Sequence, residues 1–229
     1  MTPSGRSPQR VAVLTDADLP GLWSELGIPG AIDVHTHFLP APVMRAVWSY
    51  FDEAEANYGV AWPITYRWQD DERLSHLREM GVLRFTSLVY AHKPGMASWL
   101  NDWALDFAAD VPDCLPTATF YPESSAGEYV SSALERGARV FKVHVQVGDF
   151  DPRDRLLDQV WGCLADAGVP IVVHCGSAPL PGRFTGVEPI GEVARRFPGL
   201  RLIVAHLGAG EFGIQRELQL LVVKLLPDA

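Results

Sequence analysis

Cysteine is scarce in this chain: three residues in 229, Cys114, Cys163 and Cys175. No CxxC spacing links them and three thiols cannot all pair, which argues against a disulfide framework. Long apolar runs are missing too. The longest, Val169–Val173 and Leu220–Val223, fall far short of the ~20 residues of a spanning helix, so no membrane association is expected. The opening MTPSGRSPQR carries two Arg but no apolar core follows, so no secretory signal is expected and the cytoplasm is the expected location. There is no basic run, and 19 Lys+Arg against 28 Asp+Glu give a net charge of −9. General nucleic-acid binding, which needs Lys/Arg clusters on phosphates, is therefore not expected, whereas a small-molecule substrate is unaffected. No low-complexity linker or charge-run boundary divides the chain. We expect a disordered segment over 1–15 and a single domain over 16–229.

What is present is ordinary for a globular protein, 48% apolar and 21% charged. Asp16–Leu26 reads as a short leading helix closed by Gly27. Strand candidates are Ala31–His35, Arg84–Tyr90, Leu115–Tyr121, Arg139–Val145, Pro170–Cys175 and Arg201–His206. Amphipathic stretches lie between them: Pro42–Tyr58 with Asp71–Met80, Met96–Ala109, Ser124–Arg136, Arg153–Ala167 and Val187–Phe197. From the second strand on, the strand centres recur about every 30 residues, the length of one strand-plus-crossover-helix unit. Apolar strands alternating with helices call for a parallel sheet covered by helices. Gly81, Gly137 and Gly168 each fall where a helix should end before the next strand, as left-handed caps do.

The histidines follow the strands. In Ile32-Asp33-Val34-His35-Thr36-His37, alternation puts His35 and His37 on one side, close enough to bind one ion, with Asp33 one step deeper. Imidazole is the commonest nitrogen ligand of zinc and similar divalent metals. His174 ends the fifth strand and His206 the sixth, each followed by a Gly-containing loop. The fourth strand puts Lys142 and His144 on one face. Any one of these could be a buried histidine holding a backbone carbonyl, but five of the seven histidines sit at ends of parallel strands, where α/β barrels place catalytic groups, so a metal site is the reading. His92, after the second strand, is a candidate pocket residue, while His76 reads as solvated helix surface. Trp62–Asp71 reads as a packed loop rather than a lid, and Cys175 as core.

The segments IDVHTHFLP, VFKVHV, PIVVHCGSAP and LIVAHLGA, spread from about Ile28 to Glu211, resemble the amidohydrolase superfamily. They are most similar to the amidohydrolase-related branch that includes aminocarboxymuconate-semialdehyde decarboxylase. The resemblance implies a TIM-like (β/α)8 metal-dependent hydrolase barrel with a divalent ion, usually zinc. It implies metal ligation by His35, His37 and His174, and proton transfer by His206. Lys142 matches the place where binuclear relatives carry a carboxylated lysine. The branch is mononuclear, so Lys142, with His144 and His92, is expected to meet substrate instead.

One element of the family pattern has no counterpart here, an Asp at the end of an eighth strand that binds the metal and acts as base. Six β/α units fill the chain to about Lys224. Glu211–Leu226 reads as one apolar helix, and Asp228 has no strand to hold it. The expectation is an incomplete barrel lacking strands seven and eight, whose exposed edges favour a homo-oligomer. The implied chemistry is hydrolysis or decarboxylation of a small organic substrate, aromatic or carboxylated. Two other readings stand beside it: a catalytically impaired fragment or scaffold, and a PHP-type phosphoesterase sharing the Asp33-x-His35-x-His37 start.

Overall fold

A computed structural model describes residues 15–59, 61–64, 67–177 and 181–208. The segments 1–14 and 209–229 lie outside them, and with them the expectations for the N-terminal segment, the Glu211–Leu226 helix and Asp228. In chain order the elements are α1 (Leu19–Glu25), β1 (Ala31–Asp33), α2 (Ala41–Asp52), α3 (Ala54–Tyr58), α4 (Asp70–Glu79), β2 (Val82–Thr86), α5 (Ala97–Asp110), β3 (Cys114–Leu115), β4 (Thr117–Thr119), α6 (Ala126–Glu135), β5 (Val140–His144), α7 (Val145–Gly148), α8 (Asp158–Ala167), β6 (Pro170–His174), α9 (Val187–Arg196) and β7 (Arg201–Val204). Each of the six strand regions expected from the sequence carries at least one strand. None of the helices described is long and apolar enough to cross a membrane.

Contacts divide the chain into two compact units, Met1–Ile32 with Trp68–Leu83, and Asp33–Arg67 with Arg84–Ala229. In the smaller, Trp23 Nε1 donates to the Met80 carbonyl at 2.8 Å. The same indole lies over Gly81, where an added Cβ would come within 2.8 Å of it and φ is +77°. Glycine is required there on both counts. His76 sits on α4 with Nε2 3.0 Å from Asp16 and its ring against Trp68, a half-exposed arrangement that agrees with a surface role.

The larger unit holds the strands that matter for chemistry. The sheet order is β1-β2-β3 and β4-β5-β6-β7. Every register resolved for β2 through β7 is parallel. The break falls at Pro116, inside what reads from sequence as a single strand, Leu115–Tyr121. Proline has no N–H to give to a ladder, though its carbonyl accepts from Arg139 N and Val140 N. Among the described residues β1 and β7 pair on one side only, so no strand joins them to close a barrel.

Alternation then separates two faces. Ala118, Phe141, Val143, Ile171 and Val173 pack with residues of α5, α6 and α8, around a fully buried Trp161 whose indole N–H reaches the Pro152 carbonyl at 2.8 Å. The opposite face carries a small apolar cluster of Leu88, Val140, Val172 and Ala205. On that same face Lys142, His144 and His174 stand at or near the C-terminal ends of their strands.

Asn101, buried on α5, ties this layer together. Its Nδ2 donates to Thr119 O at 3.0 Å and its Oδ1 accepts from Thr119 N at 2.7 Å, while Thr119 Oγ1 donates to Lys142 O at 2.7 Å. An unmet backbone group in such a place costs about 1–3 kcal/mol. We therefore expect Asn101→Leu to lose at least that much in urea unfolding. Asp102→Ala, which removes an exposed partner of Arg136, should stay within about 0.5 kcal/mol of the parent.

Candidate active site

The first two histidines are not on a strand. The first strand stops at Asp33, not His35, because the Asp33 carboxylate accepts the His35 backbone N–H at 2.9 Å and turns the chain out of the sheet. Thr36 then reaches back, its hydroxyl donating to the Thr86 carbonyl. The last strand likewise ends at Val204. His206 lies in the 3-10 turn Ala205–Gly208 with φ +54°, a left-handed conformation that a non-glycine residue holds only under constraint. His144 and His174 do end their strands, and the register sets them directly opposite each other.

These turns bring the rings together. Centroids lie 5.3 Å apart for His35 and His37, 4.9 Å for His35 and His206, and 5.2 Å for His174 and His206. His144 stacks on His174 at 3.9 Å with 14° between planes. Five histidines from four regions of the chain thus form one connected cluster. Among the described residues no group of three His, Cys, Asp or Glu side chains stands arranged to hold a metal ion; the imidazoles meet through faces and edges instead. His37 Nδ1 lies 2.8 Å from the Leu88 carbonyl. Because a carbonyl only accepts, that nitrogen bears the proton. Among the described residues, His174 Nε2 is buried with no hydrogen-bond partner. His92 is exposed in the 91–95 segment, and no ring contact described joins it to the cluster.

Burial dominates the electrostatics. It lowers His35 and His174 to about 4, with the Lys142 charge adding to the effect, and puts His144 well below its ordinary value. His206, which is exposed, shifts down less, again through burial and Lys142. Lys142 is wholly buried, its Nζ has no partner among the described residues, and burial pulls it from 10.5 to about 7. Cys175 is core, as the sequence suggests.

Sequence reasoning missed Tyr90. Its ring sits 5.6 Å from His37 and 5.2 Å from His144, and burial raises its phenol so that it stays protonated. Its parity with Leu88 along the β2 strand direction was the signal that could have found it.

A pH dependence follows for the metal-free protein. Between pH 6.5 and 4 the unfolded chain protonates histidines that the folded cluster keeps neutral, so stability falls as pH falls through that window. Lys142 acts the same way from 10.5 down to about 7. Replacing this buried, unpaired amine by an apolar side chain of like shape should raise stability at pH 7 by about 1–3 kcal/mol. Urea midpoints of the parent and Lys142→Met at pH 7 and pH 5 check both points. A flat profile or a destabilised Lys142→Met would contradict this account of the cluster.

Comparison with known proteins bears on the same region. No curated protein matches the chain in sequence. Among solved structures, an uncharacterised TIM-barrel protein from Bordetella bronchiseptica aligns with a TM-score of 0.63 at 16% identity, over 85% of this chain and 72% of its own. 5-Carboxyvanillate decarboxylase from Sphingomonas paucimobilis aligns with a TM-score of 0.56 at 17% identity, over 82% and 71%. An amidohydrolase II gives 0.56 at 19% identity, over 86% and 73%. These likenesses establish a TIM-like fold. The amidohydrolase family model matches residues 32–220, from the turn that carries His35 and His37 past His206, and the chain belongs to the amidohydrolase family.

Proposed function

We propose that the chain is a metal-dependent hydrolase or decarboxylase acting on a small organic substrate. The observation that carries this reading is the convergence of His35, His37, His174 and His206 while, among the described residues, His174 Nε2 is left buried and unpartnered. A buried polar atom without a partner is costly, and a cation is the partner that a neutral imidazole lacks. The donor set fits a divalent transition metal, zinc above all, with His35, His37 and His174 as its holders. The Leu88 carbonyl supports this by fixing the His37 tautomer with Nε2 as the lone-pair nitrogen.

Such an ion supplies Lewis-acid polarisation of a substrate oxygen. The remaining work falls to the chain itself. His206 is exposed and neutral near pH 7, so it accepts a proton from an attacking water in hydrolysis. In decarboxylation, the same imidazole, once protonated, delivers a proton to the carbon that loses CO2. Lys142, whose charge when protonated reaches His35, His174 and His206, draws a substrate oxyanion in that form. The decarboxylase among the structural neighbours makes 5-carboxyvanillate a reasonable first probe, beside p-nitrophenyl acetate for hydrolysis.

Metal analysis after zinc loading should find one equivalent per chain, reduced in His174→Ala. His206→Asn should keep the metal and slow turnover of whichever probe reacts by about 10²–10⁴-fold. A parent protein that retains no zinc after desalting overturns the proposal.

A further inference from the structure

His144 holds the position nearest to His174, yet its ring nitrogens are arranged unlike those of His37. The Val147 backbone N–H points at His144 Nδ1 from 3.3 Å, as His144 caps α7 from its N-terminal side. A backbone N–H has a proton and no lone pair, so Nδ1 must accept and carry no proton. A neutral imidazole in that state bears its proton on Nε2. At His37 the partner is a carbonyl, and the proton sits on Nδ1 instead. Two histidines of opposite tautomer therefore flank the Tyr90 ring.

Deepening the reading given above, on which it rests, we infer that His144 is a hydrogen-bond donor to a substrate oxygen through Nε2–H and not a metal ligand. A metal needs a lone pair, and neither nitrogen of His144 offers one: Nδ1 is engaged by Val147 and Nε2 is protonated. The ring is held in place on two sides, by the 3.9 Å stack on His174 and by Tyr90. His144 is half-buried, and the hydrogen bond described for its ring is the one at Nδ1, which leaves the Nε2 side to meet a ligand. A preorganised neutral donor next to the metal-binding imidazoles suits an oxygen on which negative charge develops. His37 and His144 look equivalent as residue types, and the atom that each presents to the backbone separates them.

The test uses the full chain labelled with ¹⁵N-histidine and long-range ¹H–¹⁵N spectra, first with chelator and then with zinc. His144 should show the Nε2–H pattern in both, while the resonances of His35, His37 and His174 move on zinc addition. An Nδ1–H pattern, or loss of the Nε2 proton as zinc binds, overturns the inference. Methylphosphonate, a stand-in for a tetrahedral oxyanion, is then titrated into both forms and should shift the His144 Nε2 proton in at least one. No shift in either form also overturns it. His144→Gln, whose amide N–H₂ can replace the Nε2 donor, should bind methylphosphonate nearly as the parent does. His144→Leu should bind it about tenfold or more weakly, at unchanged zinc content. Equal affinity in all three proteins, or a fall in zinc content in His144→Leu, overturns the assignment. A parent that holds no zinc defeats the metal reading alone, because the tautomer is read in the chelated protein.

Discussion

The parallel register between β5 and β6 sets His144 opposite His174, Lys142 opposite Val172 and Phe141 opposite Ile171. A slip of one residue would turn every side chain of one strand to the other face. What resists the slip lies on the far side of the sheet, where Phe141, Val143, Ile171 and Val173 are buried against α5, α6 and α8. Losing even one of these contacts costs more than a kilocalorie or so, and all would be lost together. Apolar packing on the helical face thus fixes where the imidazoles stand on the inner one. Asn101 and Thr119 extend the same control to β4 through hydrogen bonds to backbone.

The cluster itself is unfavourable as a piece of folded protein. Burial holds His35 and His174 neutral down to about pH 4, Lys142 Nζ and His174 Nε2 have no partners among the described residues, and His206 keeps a left-handed backbone. Strain and unmet polar atoms gathered at one place are what a site for a bound group looks like before the group arrives. Stability and function pull apart here, as they do where a site is kept for chemistry.

Much of this was legible in the sequence. The strand period of about 30 residues, the Gly-terminated helices and the histidines at strand ends gave the parallel α/β order and the members of the cluster. Local backbone chemistry was harder to read. The Asp33 side chain diverts the chain before His35, Pro116 splits what looks like one strand, and His206 falls in a 3-10 turn. Each depends on a hydrogen bond made or missing at one residue, below the resolution of an apolar pattern. The tautomers of His37 and His144 were beyond reach altogether. They are set by a carbonyl 51 positions away in one case and an N–H three positions away in the other. Tyr90 was readable by parity but has a residue type that is more often core.

At the centre stands the claim that imidazoles from separate loops and strand ends grip one divalent ion. X-ray absorption at the zinc edge of the loaded protein tests it most directly. The account predicts three imidazole nitrogens at about 2.0–2.1 Å, one of them lost in His174→Ala and none lost in His144→Gln. A spectrum with only oxygen neighbours, with sulfur, or unchanged by His174→Ala would contradict it.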